Sequence, residues 1–89
     1  MEQAGPDYFV YMILCLDGSL YTGIAKDVLR RLDQHRAGKG ARYTRAKGVE
    51  RLAYQEGPYS RGDALRRERA IKQLPRSAKE LLLTSKKPF

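Results

Sequence analysis

The sequence predicts an α+β protein: a small αβ sandwich with a three-stranded antiparallel or mixed sheet flanked by three helices. Three observations lead to this fold class. Strand-like runs occupy 8–15, 19–24 and 51–56, a turn signal joins the first two, and helix signals begin at Asp27 and Asp63. The 89 residues suffice for one small domain, predicted at 8–84, with flexible termini at 1–7 and 85–89.

The first two runs predict a β-hairpin. Residues 8–15 are apolar without alternation, which is typical of a central strand covered on both faces. Asp17 and Gly18 separate this run from its predicted antiparallel partner, 19–24. Both residue types tolerate the positive φ that tight turns require, so the pair favours a hairpin turn.

The first helix is predicted to begin after Asp27, a good N-cap, and to end near Ala37, where Gly38 supplies a C-terminal stop. Its apolar arc is expected to consist of Val28, Leu29 and Leu32. The next segment, 38–48, has three glycines and neither a helical nor a strand period, so it predicts a basic loop.

The second half of the chain predicts one strand and two helices. Residues 51–56 alternate enough for a third strand, which Gly57-Pro58 is expected to terminate. A second helix is predicted over 63–74 and a third shortly after it. These boundaries rest on a proline that cannot continue a helix and on a pair with capping-box spacing: Pro75, and Ser77 with Glu80.

The composition excludes several classes of protein. The single cysteine, Cys15, has no partner for an internal disulfide and lies in an apolar run, so we expect a buried thiol. No apolar stretch approaches the length of a membrane span, and the N-terminus has no charged-then-apolar signal peptide. We therefore expect a soluble cytoplasmic protein without a membrane partner.

The net charge of +8 is unevenly distributed along the chain. Residues 1–25 contain no Lys or Arg, whereas 26–51 contain nine: Lys26, Arg30, Arg31, Arg36, Lys39, Arg42, Arg45, Lys47 and Arg51. Such asymmetry predicts a cationic face for a polyanion, most simply nucleic acid. The alternative is a solvated basic surface that serves only solubility.

Two helices carry polar groups beside their apolar faces. Arg31 and His35 lie four residues apart on one flank of the first helix's arc, at the edge of the core. On the second helix, Glu68 shares a face with Ala64 and Ile71. A carboxylate there is costly unless it is paired or bound to a cation. Two interpretations remain open: an ion pair, with Arg31 as one candidate partner, or a ligand for a metal such as Mg²⁺.

Five residues together resemble the GIY-YIG nuclease superfamily. Tyr11 lies within "VYM", Tyr21 within "YTG", Arg31 follows ten residues later, His35 four beyond that, and Glu68 lies on a later helix. The order and spacing of these five roles are specific, although no single tripeptide is. The resemblance covers 8–83, and the loop "GKGARYTR" and the chain length are most similar to small, stand-alone, YhbQ-like bacterial members.

This resemblance implies an active site on one face of the sheet and a role for each of the five residues. Tyr11, helped by Tyr21, would deprotonate or orient the attacking water, with Arg31 and a metal favouring its phenolate. Arg31 would stabilise charge on the scissile phosphate. Glu68 would hold a single Mg²⁺ or Mn²⁺ ion, and His35 would shuttle a proton or hydrogen-bond the phosphate.

The length of the hairpin loop tests this resemblance. Taken alone, Tyr11 and Tyr21 are typical core residues. A two-residue loop at Asp17-Gly18 would put them on opposite faces of the sheet, because side chains alternate along strands. A three-residue loop, with Gly18 in the left-handed region, would put them on the same face. Membership of the nuclease superfamily therefore predicts an odd loop length or a bulge.

The expected ligand is nucleic acid, with DNA favoured over RNA and cleavage that is non-specific or structure-dependent. Members of the superfamily act in DNA repair and recombination, and an unidentified protein partner is possible. Gly23 is expected to allow close approach of the backbone to the ligand. The residues expected to contact nucleic acid are Gly23, Lys26, Lys39, Arg42, Tyr43, Arg45 and Lys72.

A second hypothesis is a nucleic-acid-binding module that keeps the fold but cuts neither DNA nor RNA. Many family nucleases use a late asparagine near the active site, and this sequence contains no asparagine. Lys72 or Gln73 would have to replace it. A third possibility, a structural protein whose charge serves solubility, leaves Glu68 explained only as an ion pair.

Overall fold

The computed structural model describes residues 5–84, and its centre is a three-stranded antiparallel sheet. The strands β1 (Tyr8–Cys15), β2 (Leu20–Ala25) and β3 (Val49–Tyr59) lie in the order β2-β1-β3. The predicted α+β class and the central position of the apolar run are therefore confirmed. The expected flexible ends at 1–4 and 85–89 lie outside the described residues.

Four helices rather than three accompany this sheet within residues 5–84. They are α1 (Val28–Arg36), α2 (Arg42–Lys47), α3 (Arg61–Lys72) and α4 (Arg76–Leu83). The additional helix is α2, which lies where the sequence predicted a loop. Its six residues form little more than one turn and have no side-chain cap, which explains why the sequence pattern did not reveal it.

The hairpin between β1 and β2 has a three-residue loop. The amide of Cys15 donates to the carbonyl of Ser19 at 2.8 Å, so only Leu16, Asp17 and Gly18 lie outside the ladder. Gly18 has φ +87, the left-handed conformation that this loop requires. The predicted odd loop length is confirmed.

This loop brings both tyrosines of the hairpin to one face of the sheet. Tyr11 lies opposite Gly23, and Ile13 lies opposite Tyr21. Directly opposed residues share a face, as do residues two apart on a strand, so Tyr11 and Tyr21 are on the same side.

Asp27 caps α1 as predicted, because its carboxylate accepts a hydrogen bond from the amide of Arg30 at 3.0 Å. Gly38, at φ +78, follows the helix end as expected. The predicted apolar arc was wrong at one position. Leu29 is 67% exposed, because α1 directs Val28 and Leu32, but not Leu29, into the core.

The predicted end of the third strand was also wrong. β3 continues through Gly57-Pro58, a cis peptide bond, to Tyr59. Proline is tolerated there because β3 is an edge strand, where a missing amide need not break a ladder, and because the pairing with β1 is irregular near this point.

The last two helices begin earlier than predicted. Ser60 caps α3, accepting a hydrogen bond from the amide of Asp63 at 3.1 Å, and the helix ends at Lys72. In α4, Pro75 occupies the cap position in an extended conformation, so Ser77 lies inside the helix. The predicted capping box is therefore absent, and Glu80 instead accepts from Arg76 at 2.9 Å.

The sheet separates two apolar clusters. The α3 side buries Val10, Met12, Tyr54, Ala64 and Ile71, with leucines of α4 packed against them. The α1 side buries Tyr11, Ile13, Cys15 and Val28, with Leu32 beside them. Cys15 is buried as predicted. Within residues 5–84, no helix is long and apolar enough to cross a bilayer.

A partly buried carboxylate attaches α3 to β3. Glu56 accepts hydrogen bonds from the hydroxyls of Tyr54 and Tyr59, the latter at 2.6 Å. Arg67 of α3 donates to the same carboxylate from Nε and from Nη2, the latter at 3.1 Å. Burial opposes ionisation of Glu56, but these hydrogen bonds outweigh it and hold the pKa below its ordinary value.

We expect Glu56 to make the fold sensitive to acid. A carboxylate with a lowered pKa stabilises the fold at neutral pH, and this contribution disappears as pH falls from about 4.3 through the folded pKa. Glu56→Gln should lower the free energy of unfolding at pH 7 by about 1–3 kcal/mol. It should also make this free energy depend less on pH below about 4.3. Urea unfolding at several pH values measures both. Glu80→Gln, which alters a half-exposed ion pair, should change the free energy by less than about 0.5 kcal/mol, and an equal effect would contradict the assignment.

Candidate active site

The side chains of Tyr11 and His35 meet in the interior between β1 and α1. Tyr11 Oη and His35 Nε2 are 2.9 Å apart and share a hydrogen bond. Both residues are only 1% exposed. The other ring nitrogen, Nδ1, is 2.7 Å from the hydroxyl of Thr44 in α2. Three elements of the fold therefore hold one buried line of polar atoms.

Gly23 makes room for the tyrosine of this line. A Cβ atom at Gly23 would lie 2.6 Å from Tyr11 Oη and 2.8 Å from Cζ, closer than non-bonded atoms approach. The phenol of Tyr11 thus passes directly over the backbone of β2. We predicted that Gly23 lets nucleic acid approach closely. The structure corrects this, because Gly23 is buried and the group that approaches it is Tyr11.

Aromatic rings extend from the buried pair to the surface. The ring of Tyr21 lies 6.4 Å from that of Tyr11 and 5.1 Å from that of His35, measured between centroids. Tyr43 of α2, 40% exposed, lies 6.0 Å from Tyr21 on the outer side. The two hairpin tyrosines and His35, which the sequence proposed as partners, are therefore in direct proximity.

The environment keeps Tyr11 and His35 neutral at neutral pH. Burial, followed by the neighbouring Tyr21, raises the pKa of Tyr11 to about 12, although Arg31 acts in the opposite direction. Burial also lowers the pKa of His35, and the positive charge of Arg31 adds to this effect. The sequence analysis expected Arg31 to favour the phenolate of Tyr11. Arg31 does lower the pKa of Tyr11, but burial raises this pKa by more.

Arg31 is half-buried on α1, and its Nη1 donates to the side-chain oxygen of Gln34 at 2.8 Å. The guanidinium is near enough to influence both Tyr11 and His35 electrostatically. Gln34 engages one nitrogen, and the guanidinium also lies within hydrogen-bonding reach of the Tyr11 hydroxyl. A guanidinium has five N–H donors, enough to bind an anion besides these two groups.

Glu68 projects from α3, in the layer that covers the opposite side of the sheet from Tyr11. Its side chain is 18% exposed, and its carboxylate lies 3.1 Å from Lys72 Nζ. The ion pair predicted for Glu68 thus exists, with Lys72 rather than Arg31. The charge of Glu68 raises the pKa of Tyr11, so the carboxylate is within electrostatic range of the phenol. Glu68 thus comes within range of Tyr11 from a helix whose apolar residues Ala64 and Ile71 pack on the other side of the sheet.

The surroundings of Glu68 fit a magnesium-type ion. Within residues 5–84, no three histidine, cysteine, aspartate or glutamate side chains converge as a complete metal site. Mg²⁺ commonly takes only one or two protein carboxylates and fills its other positions with water and substrate phosphate. The Glu68 carboxylate is mostly buried, and the lysine paired with it, Lys72, is a long, half-exposed side chain that can move aside, so the site meets this requirement.

The predicted nucleic-acid contacts fall into two groups. Lys39, Arg42, Tyr43 and Arg45 are exposed on or just before α2, beside Tyr21. Two predicted lysines already have partners: Lys72 pairs with Glu68, and Lys26 lies 3.8 Å from Asp7 and over the ring of Tyr8. The basic surface next to the site is thus carried by α2.

Two residues of the site were missed by the sequence analysis. Thr44 is 1% exposed and contacts His35, while a Cβ atom at Gly40 would overlap the His35 ring. The available signal was small: a threonine and a glycine among exposed basic residues in "GKGARYTR". Neither belongs to an apolar period, so nothing in the pattern marked them as buried.

We expect Gly23→Ala to displace the Tyr11 phenol. The added methyl group overlaps a rigid, buried ring, so stability should fall by about 1–3 kcal/mol and the Tyr11–His35 hydrogen bond should break. Urea unfolding and the NMR signals of the His35 ring measure the two effects. Gly62→Ala is the control, because the nearest atom to its new methyl group would be 3.7 Å away. Unchanged His35 signals in Gly23→Ala would contradict the expectation.

Comparison with known proteins identifies the family. The model of the GIY-YIG catalytic domain matches residues 7–81. A UPF0213 protein of Pseudomonas aeruginosa is 51% identical over 79 residues, which are 89% of this chain and 76% of that protein. A UPF0213 protein of Staphylococcus aureus is 46% identical over 85% of this chain and 93% of its own length.

Solved structures show the same fold. The solution NMR structure of a UPF0213 protein of Bacillus halodurans is 44% identical, with a TM-score of 0.55, over 86% of this chain and 82% of that one. The matched range, 7–81, spans the positions of Tyr11, Tyr21, Arg31, His35 and Glu68. The chain therefore belongs to the GIY-YIG nuclease family, among its small bacterial UPF0213 members.

Proposed function

We propose that this protein is a divalent-metal-dependent endonuclease that hydrolyses phosphodiester bonds in DNA. The observation that carries the proposal is the buried Tyr11–His35 hydrogen bond, with the charges of Arg31 and Glu68 acting on the same phenol. A protein that only binds nucleic acid gains nothing from burying a phenol, an imidazole and a carboxylate in this way.

Each of the chain's own groups has a distinct role in this proposal. Tyr11 would first release its own proton to solvent, and its phenolate oxygen would then accept the proton of the attacking water, which Tyr21 helps to hold. Arg31 binds the scissile phosphate through guanidinium donors other than the one that contacts Gln34. His35 orients Tyr11. A direct bond from His35 to the phosphate would require it to leave Tyr11 or Thr44, so the geometry favours the role towards Tyr11.

Glu68 would hold one Mg²⁺ or Mn²⁺ ion, which when bound supplies positive charge at the scissile phosphate and the leaving oxygen. Before that, Glu68 must release Lys72. The freed ammonium would then be available to contact phosphate, in keeping with the expectation that Lys72 touches nucleic acid.

The substrate is proposed to be DNA in preference to RNA, recognised through its backbone or branched shape rather than its sequence. Lys39, Arg42 and Arg45 supply charge but too few base contacts to read a sequence. Such a nuclease would suit DNA repair or recombination in the cytoplasm, where a partner protein could select the substrate.

The test is cleavage of labelled single-stranded, duplex, flap and four-way-junction DNA, and of RNA, with Mg²⁺, Mn²⁺ or EDTA. Metal-dependent cutting of at least one DNA form supports the proposal. Tight, salt-sensitive binding without cutting under any metal would instead favour the second candidate, a binding module. Two observations support that candidate: the sequence has no asparagine, and the Glu68 carboxylate forms an ion pair with Lys72.

Binding should depend steeply on salt through α2. Each phosphate contact contributes about −0.9 to the slope of log affinity against log salt concentration. Arg42→Ala combined with Arg45→Ala should therefore reduce the slope by about 2 and weaken binding equally for unrelated sequences. Fluorescence anisotropy at several salt concentrations measures this. Arg66→Ala is the control, because Arg66 is exposed and paired with Asp63 on α3. A loss confined to one sequence would contradict backbone recognition.

A further inference from the structure

The ring of His35 is enclosed by protein on both sides. Nε2 faces Tyr11 Oη at 2.9 Å, and Nδ1 faces α2, with Thr44 Oγ1 at 2.7 Å and the amide nitrogen of Ala41 at 3.4 Å. At neutral pH the imidazole is neutral, so only one ring nitrogen carries a proton. The protein around the ring decides which nitrogen that is.

A fixed donor settles the choice. A hydroxyl can rotate, and that of Thr44 has two acceptors in reach: Nδ1 and the carbonyl oxygen of Ala41 at 3.0 Å. The amide of Ala41 cannot rotate, and its hydrogen is directed at Nδ1. If Nδ1 were also protonated, two hydrogens would face each other and the amide would lose its acceptor. Nδ1 is therefore the acceptor, and Nε2 carries the proton. The Thr44 hydroxyl, 2.7 Å from an unprotonated Nδ1, must then direct its hydrogen at Nδ1 rather than at Ala41, so Thr44 is a second and shorter donor that holds this tautomer.

This arrangement determines the direction of the Tyr11 hydrogen bond. With the proton on Nε2, His35 donates to the phenol oxygen and cannot take up the phenol's own proton, which passes to solvent when the phenolate forms. Donation to that oxygen also favours the phenolate. In the opposite tautomer, with the proton on Nδ1, the hydroxyl of Tyr11 would donate to Nε2 of His35. Proton transfer would then create an imidazolium in a buried position beside Arg31, which is unfavourable.

We propose that Thr44 and the Ala41 amide fix the tautomer of His35, so that Nε2–H donates to Tyr11 and prepares it as the base. Thr44 is thus a positioning residue for the proposed nuclease reaction, on which this inference rests. Gly40 is also needed to fix the tautomer, because any side chain there would overlap the His35 ring and keep the Ala41 amide away from Nδ1. The α2 segment therefore has an inner function distinct from its basic outer surface.

The test uses the only histidine in the chain, which makes its ring signals unambiguous. Protein labelled with ¹⁵N-histidine is examined by long-range ¹H–¹⁵N correlation at about pH 8, where the imidazole is neutral. We expect the wild type to carry its proton on Nε2. Thr44→Ser, which keeps the hydroxyl, should give the same spectrum, and Thr44→Val should move the two nitrogen shifts towards each other as the tautomers mix.

The control is Thr22→Val, because Thr22 is buried and its hydroxyl has no hydrogen-bond partner among residues 5–84. It should leave the His35 signals unchanged. In cleavage assays, Thr44→Val should lower kcat by about 10- to 100-fold with little change in KM, and Thr44→Ser should restore it.

A wild-type proton on Nδ1 would overturn the inference, as would a Thr44→Val variant with wild-type nitrogen shifts and wild-type kcat. The spectra need no substrate. If the wild type cuts no nucleic acid, the proposed function fails while the tautomer is still decided independently.

Discussion

Glu68→Gln should abolish metal-dependent cleavage, lowering the rate on the order of 1000-fold. The substitution keeps the size and hydrogen-bonding shape of the side chain but removes the charge that would hold a divalent ion, an interaction that supplies several kcal/mol of transition-state stabilisation. The fold should persist, because α3 is attached through Ala64 and Ile71 and through Arg67 to Glu56. Circular dichroism and urea unfolding check this.

The same variant separates cutting from binding. Removing a negative charge near the phosphate should leave DNA affinity unchanged or increase it, whereas a misfolded variant would lose both properties. Glu80→Gln is the matched control: it also changes one carboxylate of an i,i+4 ion pair on a helix, but far from Tyr11 in the sequence and half-exposed. Equal cleavage by wild type and Glu68→Gln in Mg²⁺ would exclude Glu68 as the metal ligand.

Tyr11→Phe should lower kcat/KM by about 10²- to 10⁴-fold, the usual contribution of a positioned base. The ring is retained, so the packing over Gly23 and beside Tyr21 should survive. The matched control is Tyr54→Phe. Tyr54 is likewise buried, and its pKa is raised to about 12 by burial and by Glu56, but it lies on the other side of the sheet. Cleavage by Tyr54→Phe should be normal.

The pH dependence gives an independent readout. Since the pKa of Tyr11 is about 12, the phenolate fraction rises about tenfold for each pH unit across the neutral range. Wild-type kcat/KM should therefore increase with pH between about pH 6 and 9, and the residual activity of Tyr11→Phe should not. A flat wild-type profile would remove Tyr11 from the role of base.

The elements with strong local signals were predictable. An eight-residue apolar run, a turn pair and an aspartate cap specified β1, the hairpin and the start of α1, because each depends on neighbouring residues alone. The end of β3 was not predictable, because whether Gly57-Pro58 stops a strand depends on its place at the edge of the sheet. α2 depends on tertiary contacts, above all Thr44 with His35.

The sequence proposed the residues of the candidate site but could not predict which of them contact each other. Spacing alone could place His35 beside Arg31, but only the packing of β1 against α1 shows that His35 contacts Tyr11. The partner of Glu68 could not be derived either. Arg31 and Lys72 were both sterically reasonable, and the outcome depends on α3 lying in the opposite layer from α1.

The short loop of the β1–β2 hairpin is on the surface, and most surface loops accept insertions and deletions at little cost. This loop is different, because an odd or an even number of loop residues decides on which side of the sheet Tyr21 lies. Losing one of its three residues would turn Tyr21 from the His35 side towards α3, with every hydrogen bond of the ladder still available. A change in the length of this exposed loop would thus remove Tyr21 from its contacts with Tyr11 and His35. A change of residue type at Leu16, which is 67% exposed, would leave those contacts in place.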